Sequence, residues 1–321
     1  MEHSNERWEK EERRKGDRRR RGGGRPPFVE RRKRERRKGW SGMVAEKKTN
    51  LLRDKSVIFI GCGNMGSALV SGTLNSGLIG KDKVLVSDVR PERLKYIREK
   101  EGVSTTESNI EAVEKSDIVV LAVKPQVISK VLSEIKEVVT GDKIIISIAA
   151  GVTTAFIEEA LGKEVPVVRV MPNTPALVRA GASGISAGKY AGEEEEAIAE
   201  EMMRAVGIVV RVPEEMLDAV TALSGSGPAY IFHIVELLIE AGIEMGLSED
   251  DARKLVGQTV LGSARMVMET GESLRVLKER VVSPGGTTEA ALKYLEEKGF
   301  QKILTAAVKE AAKRSKELST G

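Results

Sequence analysis

From Ser56 onward the chain alternates short apolar runs with stretches of helical periodicity. The runs are VIFI (57–60), VLVSD (84–88), DIVVLAV (117–123), KIIISIA (143–149), VPVVRVM (165–171), GASGISA (181–187) and GIVVRV (207–212). Most are apolar throughout rather than alternating, which predicts strands covered on both faces. The intervening helices, one running to about Ser76 and one around 91–100, predict a doubly wound, largely parallel sheet. After Pro213 the pattern is helical alone, through LDAVTAL, AYIFHIVELLIEAGIEMGL, ARKLVGQTVLGSARMVMET and a last segment from about Thr287 to Leu318. The spacing predicts an α/β module over residues 54–212 and an all-helical module over 213–321.

The first 50 residues follow neither pattern. Arg18–Arg21, Arg31–Arg34, Gly22–Gly24 and Pro26–Pro27 stand among few apolar side chains, too few to offset the entropy of ordering, so a disordered basic extension is expected. The charge divides there: residues 1–40 hold 17 Lys/Arg against 8 Asp/Glu, and the rest of the chain 35 against 40. The basic pI thus belongs to the tail. Such a tail reads either as an arm for nucleic acid or another polyanion, or as a solvated extension ahead of a start at Met43. Elsewhere nucleic acid is not an expected partner, because aromatics at 3% supply few stacking platforms.

A single cysteine, Cys62, excludes an internal disulfide framework, and two histidines, His3 and His233, argue against a histidine-ligated metal. No uninterrupted apolar run approaches the roughly 20 residues of a membrane span, and no signal-peptide core opens the chain. The expectation is a soluble, cytoplasmic protein without a membrane partner.

The first strand runs into GCGNMG, with Gly61, Gly63 and Gly66 in GxGxxG spacing and a helix following. Glycines there permit a tight turn, close approach of backbone to pyrophosphate and helix-to-strand packing, while the helix N-terminus meets the negative charge. Asp88 closes the second strand, where an acid accepts bonds from an adenosine ribose and favours NAD; Arg90 stands where it could meet a 2′-phosphate, favouring NADP. The two cues conflict, so NADPH or NADH is expected. Cys62 lies in the loop without a histidine to activate it and reads as a packed side chain. AVKPQ (122–126) and MPNTP (171–175) also end strands, placing Lys124, Asn173 and Thr174 towards the cofactor cleft.

A second cluster, VVSPGGTTEAAL (281–292), lies between helices. Its glycines leave backbone N–H groups unobstructed, and Thr287 and Thr288 open a helix, which suits a carboxylate; the same residues also read as a simple cap and turn.

GCGNMG, AVKPQ, MPNTP, ALSGSGPAY (222–230) and SPGGTT occur in the order and approximate spacing of pyrroline-5-carboxylate reductases, and residues 55–318 resemble that family. The resemblance implies an α/β fold: an N-terminal Rossmann-type, doubly wound, mostly parallel sheet followed by an all-α dimerisation domain. It implies a homodimer, or a higher homo-oligomer built on dimers, that reduces pyrroline-5-carboxylate to L-proline in the last step of proline synthesis. Carried over by motif, Gly61, Gly63, Asn64, Met65 and Gly66 would touch the dinucleotide; Ser87 and Arg90, where the resemblance is weakest, are expected at its adenosine end from their place at the end of the second strand. Asn109, Ala122, Lys124 and Pro125 would lie near its riboses and nicotinamide. Ser283, Gly286, Thr287 and Thr288 would hold the substrate, with Thr288 the hydroxyl beside the ring nitrogen.

Other two-domain reductases, of imine-reductase or 3-hydroxyacid dehydrogenase type, share the plan. The latter needs a lysine on the first long helix of the second domain, and residues 215–252 contain none. His233, among Ile231, Phe232, Ile234 and Val235, reads as a packed residue, and SGSGPA (224–229) as either a close approach to ligand or tight helix packing. GSARMVM (262–268) reads as core or dimer interface. A dinucleotide-sensing regulator binding nucleic acid through the arginine-rich arm is the rival from another class. Deleting residues 1–50 is expected to leave kcat and KM unchanged; a large loss of turnover would give the arm a catalytic part.

Overall fold

The computed structural model describes residues 50–319. The basic extension expected over residues 1–50 therefore lies, apart from Asn50, outside the described residues. Residues Leu51–Gly321 form one compact unit. Its first half threads β1 (Val57–Ile60), α1 (Asn64–Asn75), β2 (Val84–Ser87), α2 (Pro91–Glu101), β3 (Ser104–Thr106), α3 (Asn109–Glu114), β4 (Ile118–Leu121) and α4 (Ile128–Ile135). Then come β5 (Ile144–Ser147), α5 (Thr154–Leu161), β6 (Val167–Met171), β7 (Gly181–Ala187), α6 (Glu193–Arg204) and β8 (Gly207–Arg211).

The eight strands form one sheet in the order β3-β2-β1-β4-β5-β6-β7-β8. All neighbours are parallel except β6 and β7, which run antiparallel. Residues 172–180 join that pair, too short a connection for the crossover helix a parallel pairing needs. The strand patterns could not show this reversal. They also missed β3, a polar edge strand with a single neighbour.

Side-chain alternation makes two cores. Val57 and Phe59 of β1, with Ile118 and Val120 of β4, face one layer of helices. Ile58, Ile60, Val119 and Leu121 face the other. All eight are essentially removed from solvent, at about 1.5–3 kcal/mol for each large side chain buried. Covering on both faces explains the unbroken apolar runs.

Every described element after Arg211 is helical. Leu217–Val220 (α7) continues through a π-helical turn, Thr221–Gly225, towards α8 (Gly227–Glu244), with Pro228 in its first turn. A side chain on Gly225 would meet the Met171 methyl at 2.6 Å. One glycine of SGSGPA thus serves packing against the end of β6. The remaining helices are α9 (Glu249–Thr270), α10 (Leu274–Glu279), α11 (Thr287–Glu297) and α12 (Phe300–Ser319). α12 returns to α7, where the Ser315 hydroxyl donates to Asp218 Oδ1 at 2.6 Å.

The helical half leaves much apolar surface open. Phe232 is 65% exposed, and Leu255, Met266 and Met268 are exposed too. GSARMVM is therefore not core of the protomer. His233, read as packed, is exposed beside Glu236.

Polar ties hold the sheet where strands meet. Asp117 Oδ2 accepts from the Ser56 N–H at 2.6 Å and from the Ser56 hydroxyl at 2.7 Å, joining the starts of β1 and β4. Burial pushes the Asp117 carboxyl up, but these bonds and the nearby Lys55 and Lys143 charges pull it further down, to a net value below the ordinary range. A lowered folded pKa stabilises fully above the unfolded value of about 3.9, and the contribution disappears as pH falls through the lower folded value. Asp117→Ala should cost about 1–3 kcal/mol in urea unfolding at neutral pH. Its deficit should shrink progressively below about pH 4; a deficit constant down to pH 2 would reject the tie.

Candidate active site

The β1–α1 turn sits over the carboxyl ends of β2 and β4. Gly61 donates its N–H to Ser87 O at 2.7 Å, and Ala122 donates to Ile60 O at 2.8 Å. Gly61 has φ +100°, and an added Cβ would lie 2.6 Å from Ala122 O. A Cβ on Gly66 would lie 2.2 Å from Gly61 O, so Gly66 lets the helix press onto the turn. Gly63 differs, because a Cβ there would meet nothing within 4 Å. It is the N-cap of α1, with no side-chain cap and no acid in the first turn. The free N–H groups and positive helix end thus face open space, an arrangement that fits pyrophosphate.

Around this turn lies a cavity of about 650 Å³, within the roughly 300–1,000 Å³ usual for ligand sites. Gly61, Gly63, Asn64, Ser87, Asp88, Arg90, Asn109, Ala122 and Lys124 all line it. The structure therefore brings most of the expected cofactor residues onto one surface. Met65 instead packs against the core, and Pro125 opens a short 3₁₀ turn just outside the lining.

A polar chain crosses the floor. The Ser87 hydroxyl donates to Asn109 Oδ1 at 2.5 Å, and Asn109 Nδ2 donates to Glu134 Oε2 at 3.0 Å. Asp88 Oδ2 accepts from the Cys62 N–H at 2.7 Å, while Arg90 Nε donates to Asp88 Oδ1 at 3.0 Å. Burial raises the Asp88 carboxyl, yet hydrogen bonds from Arg90 and Cys62 outweigh it and hold the group below the ordinary carboxylate range. Arg90, expected to reach outward, is folded onto this carboxylate. Cys62 is fully buried with Sγ 3.3 Å from the Ser67 hydroxyl.

Several lining residues escaped the sequence reading. Val127, Lys130, Val131 and Glu134 form one wall; their i, i+3, i+4, i+7 spacing was a usable signal for a single helix face. Arg93 also lines the cavity, with Nε donating to Cys62 O at 2.7 Å and Nη2 to the Ser67 hydroxyl at 2.9 Å.

Asn173 is a correction. Its amide donates to Ser224 O at 3.0 Å and accepts from the Ala182 N–H at 2.8 Å, so it ties β6 to β7 and the π turn and does not line the cavity. Thr174 is exposed outside that lining.

Ser283, Gly286, Thr287 and Thr288 lie on a separate loop and do not line this cavity. Gly285 has φ +69° and donates its N–H to Glu289 Oε2 at 2.6 Å. Gly286 caps α11 without a side-chain bond. The loop already holds one carboxylate, its own, on a backbone N–H.

Comparison with known proteins adds the decisive observation. Residues 214–318 match the family model described as pyrroline-5-carboxylate reductase dimerisation, and residues 56–151 match NADP oxidoreductase coenzyme F420-dependent. The pyrroline-5-carboxylate reductase of Methanosarcina acetivorans is 45% identical over 267 residues, 83% of this chain and 99% of that one. The chain belongs to the pyrroline-5-carboxylate reductase family. The Escherichia coli member is 39% identical over 83% of this chain and 99% of its own. A solved reductase from Coxiella burnetii superposes with a TM-score of 0.78 at 44% identity, covering 83% and 98% of the two chains. One from Plasmodium falciparum, described with NADP bound, gives 0.76 at 34%, covering 83% and 99%.

Membership in this reductase family also accounts for the uncovered helices. Among the described residues, one helix, Glu214–Glu244, is long and apolar enough to cross a membrane by length and composition. Asp218, Glu236 and Glu240 interrupt it, so it is not an uninterrupted apolar run. The same residues lie inside the dimerisation match, which supplies a protein surface as their cover.

The two turn glycines make separable predictions. Gly61→Ala, strained in backbone and clashing with Ala122, should destabilise the fold by more than about 1 kcal/mol. Gly63→Ala should fold with stability within about 1 kcal/mol of wild type yet weaken dinucleotide binding at least tenfold, as measured by calorimetry (about 1.4 kcal/mol). Unaltered affinity in Gly63→Ala would remove the turn from the cofactor site.

Proposed function

We propose that the chain reduces 1-pyrroline-5-carboxylate to L-proline with NADPH or NADH, as the last step of proline synthesis. The observation that carries this is the near end-to-end match to named reductases, 45% identical over 99% of one of them. The open cradle at Gly63 and the cavity beside it supply a physical place for the dinucleotide.

In this reading Gly61, Gly63 and Asn64 take the pyrophosphate, with Gly66 and Met65 supporting the turn from beneath. Ser87, Arg90 and Asn109 shape the adenosine end, and Ala122, Lys124 and Pro125 flank the nicotinamide end. When bound, the reduced dinucleotide supplies the hydride that goes to the imine carbon. The chain's own residues orient the acceptor: Ser283, Gly286 and Thr287 hold its carboxylate with hydroxyl and backbone N–H groups at the start of α11, and Thr288 presents its hydroxyl to the ring nitrogen. An imine can take its proton from solvent, so one positioned hydroxyl suffices and no histidine is required. The loop at 283–288 reaches the cofactor cavity from the second subunit of a homodimer, formed by the apolar faces of α8 and α9. A cytoplasmic site of action goes with this reading.

The test is oxidation of NADPH and NADH by the purified protein, followed at 340 nm with and without pyrroline-5-carboxylate. Substrate-dependent oxidation is expected, and its absence with both dinucleotides would sink the proposal. Thr288→Ala should lower kcat by roughly tenfold to a thousandfold; unchanged kinetics would take Thr288 out of the mechanism.

A further inference from the structure

The adenosine end of the cavity bears on which dinucleotide is selected, a question that rests on the reductase reading only where turnover is measured. The Asp88 carboxylate is fully engaged. Oδ2 accepts from the Cys62 N–H at 2.7 Å and from Arg90 Nη2 at 3.1 Å, and Oδ1 accepts from Arg90 N and Nε, each at 3.0 Å. The Asp88 side chain is 5% exposed and that of Arg90 51%. The carboxylate therefore belongs to the framework of the glycine turn and stays in place, whereas the half-exposed guanidinium is held by that carboxylate alone among the described residues.

Two other groups that could greet a 2′-phosphate here are already committed. Arg93 is bonded to Cys62 O and the Ser67 hydroxyl and lies over the Tyr96 ring, 4.9 Å from its centre. The Ser87 hydroxyl is spent on Asn109. Lys130 lines the cavity from the α4 wall, on a different element from the Asp88–Arg90 pair. A 2′-phosphate would thus meet a fixed anion, and recruiting Arg90 would strip that buried carboxylate of its counter-ion. A free 2′-hydroxyl displaces one Arg90 bond and leaves the other, so the ion pair persists. It donates to Asp88 Oδ1 in place of the Arg90 Nε bond, a charge-assisted hydrogen bond, while both backbone N–H donors remain.

We propose that Asp88, anchored to the Cys62 N–H and paired with Arg90, makes this chain select the dinucleotide with a free adenosine 2′-hydroxyl, NADH, over the 2′-phosphorylated one. The solved Plasmodium falciparum relative is described with NADP bound; the preference proposed for this chain is argued from its own Asp88 and Arg90.

Calorimetric titration of the full chain with NAD⁺ and with NADP⁺, without substrate, reads the selection directly. NAD⁺ is expected to bind at least about tenfold more tightly, the direction set by like-charge repulsion. Asp88→Asn keeps an acceptor for the Cys62 N–H and removes the charge, so the ratio should fall to within about threefold. Arg90→Ala leaves the carboxylate without its partner, so the ratio should widen. NADP⁺ binding as tightly as NAD⁺, an unchanged ratio in Asp88→Asn, or a narrowed one in Arg90→Ala each overturns the proposal; if Asp88→Asn does not fold, the wild-type and Arg90→Ala ratios still decide. In turnover, kcat/KM should follow the same order. Absence of pyrroline-5-carboxylate-dependent oxidation with both dinucleotides would instead defeat the reductase reading, leaving the binding ratio to stand or fall alone.

Discussion

The structure turns on the close approach of three backbone segments at the carboxyl edge of the sheet. The turn after β1 bonds to the ends of β2 and β4, and Gly66 brings α1 down onto Gly61 O, where no side chain fits. Only a residue without Cβ satisfies both the left-handed φ of Gly61 and the space left by Ala122. The result aims an uncapped helix end at open space. The strands that hold it are buried on both faces, so the turn is backed by the two cores.

Around that turn, polar groups satisfy one another as well as facing the cavity. The chain from Ser87 through Asn109 to Glu134 fixes the floor, and Asp88 links the glycine turn to the end of β2. A buried carboxylate is tolerable because four donors converge on it. Further off, Arg169 and Thr154 both reach Glu214, with Arg169 Nη1 at 3.1 Å and the Thr154 hydroxyl at 2.7 Å from its carboxylate. That latch ties β6 and α5 to the point where strands give way to helices, fixing the exit of the chain into its helical half.

The helical half is a different kind of object. Its long helices keep apolar side chains in solvent that a single chain does not cover, more than a stable monomer ordinarily exposes. The match of residues 214–318 to a dimerisation family gives those faces a partner surface, so homo-oligomerisation is part of how this half is stabilised. Its 283–288 loop stands outside the cavity lining of its own chain.

Local signals were enough for much of this. Apolar, largely β-branched runs marked five of the eight strands because burial on both faces demands it, GIVVRV marked the more exposed β8 and GASGISA marked β7 through small side chains, and GxGxxG between strand and helix marked the turn where Gly61 and Gly66 leave no room for a side chain. What they could not settle depends on atoms far apart in the chain. The reversal of β7 follows from a connection too short for a crossover. Asn173 looks like a cleft residue by position, yet its amide is consumed by Ser224 and Ala182, 51 and 9 residues away. Arg90 looks like a phosphate ligand until Asp88 is seen holding it. The sequence by itself determined which strand ends and which glycine turn border the site, since those follow from the order of elements; tertiary structure decided which helix face completes it and which side chains are free to act, since a side chain's hydrogen-bonding capacity is finite and its partners come from elsewhere in the fold.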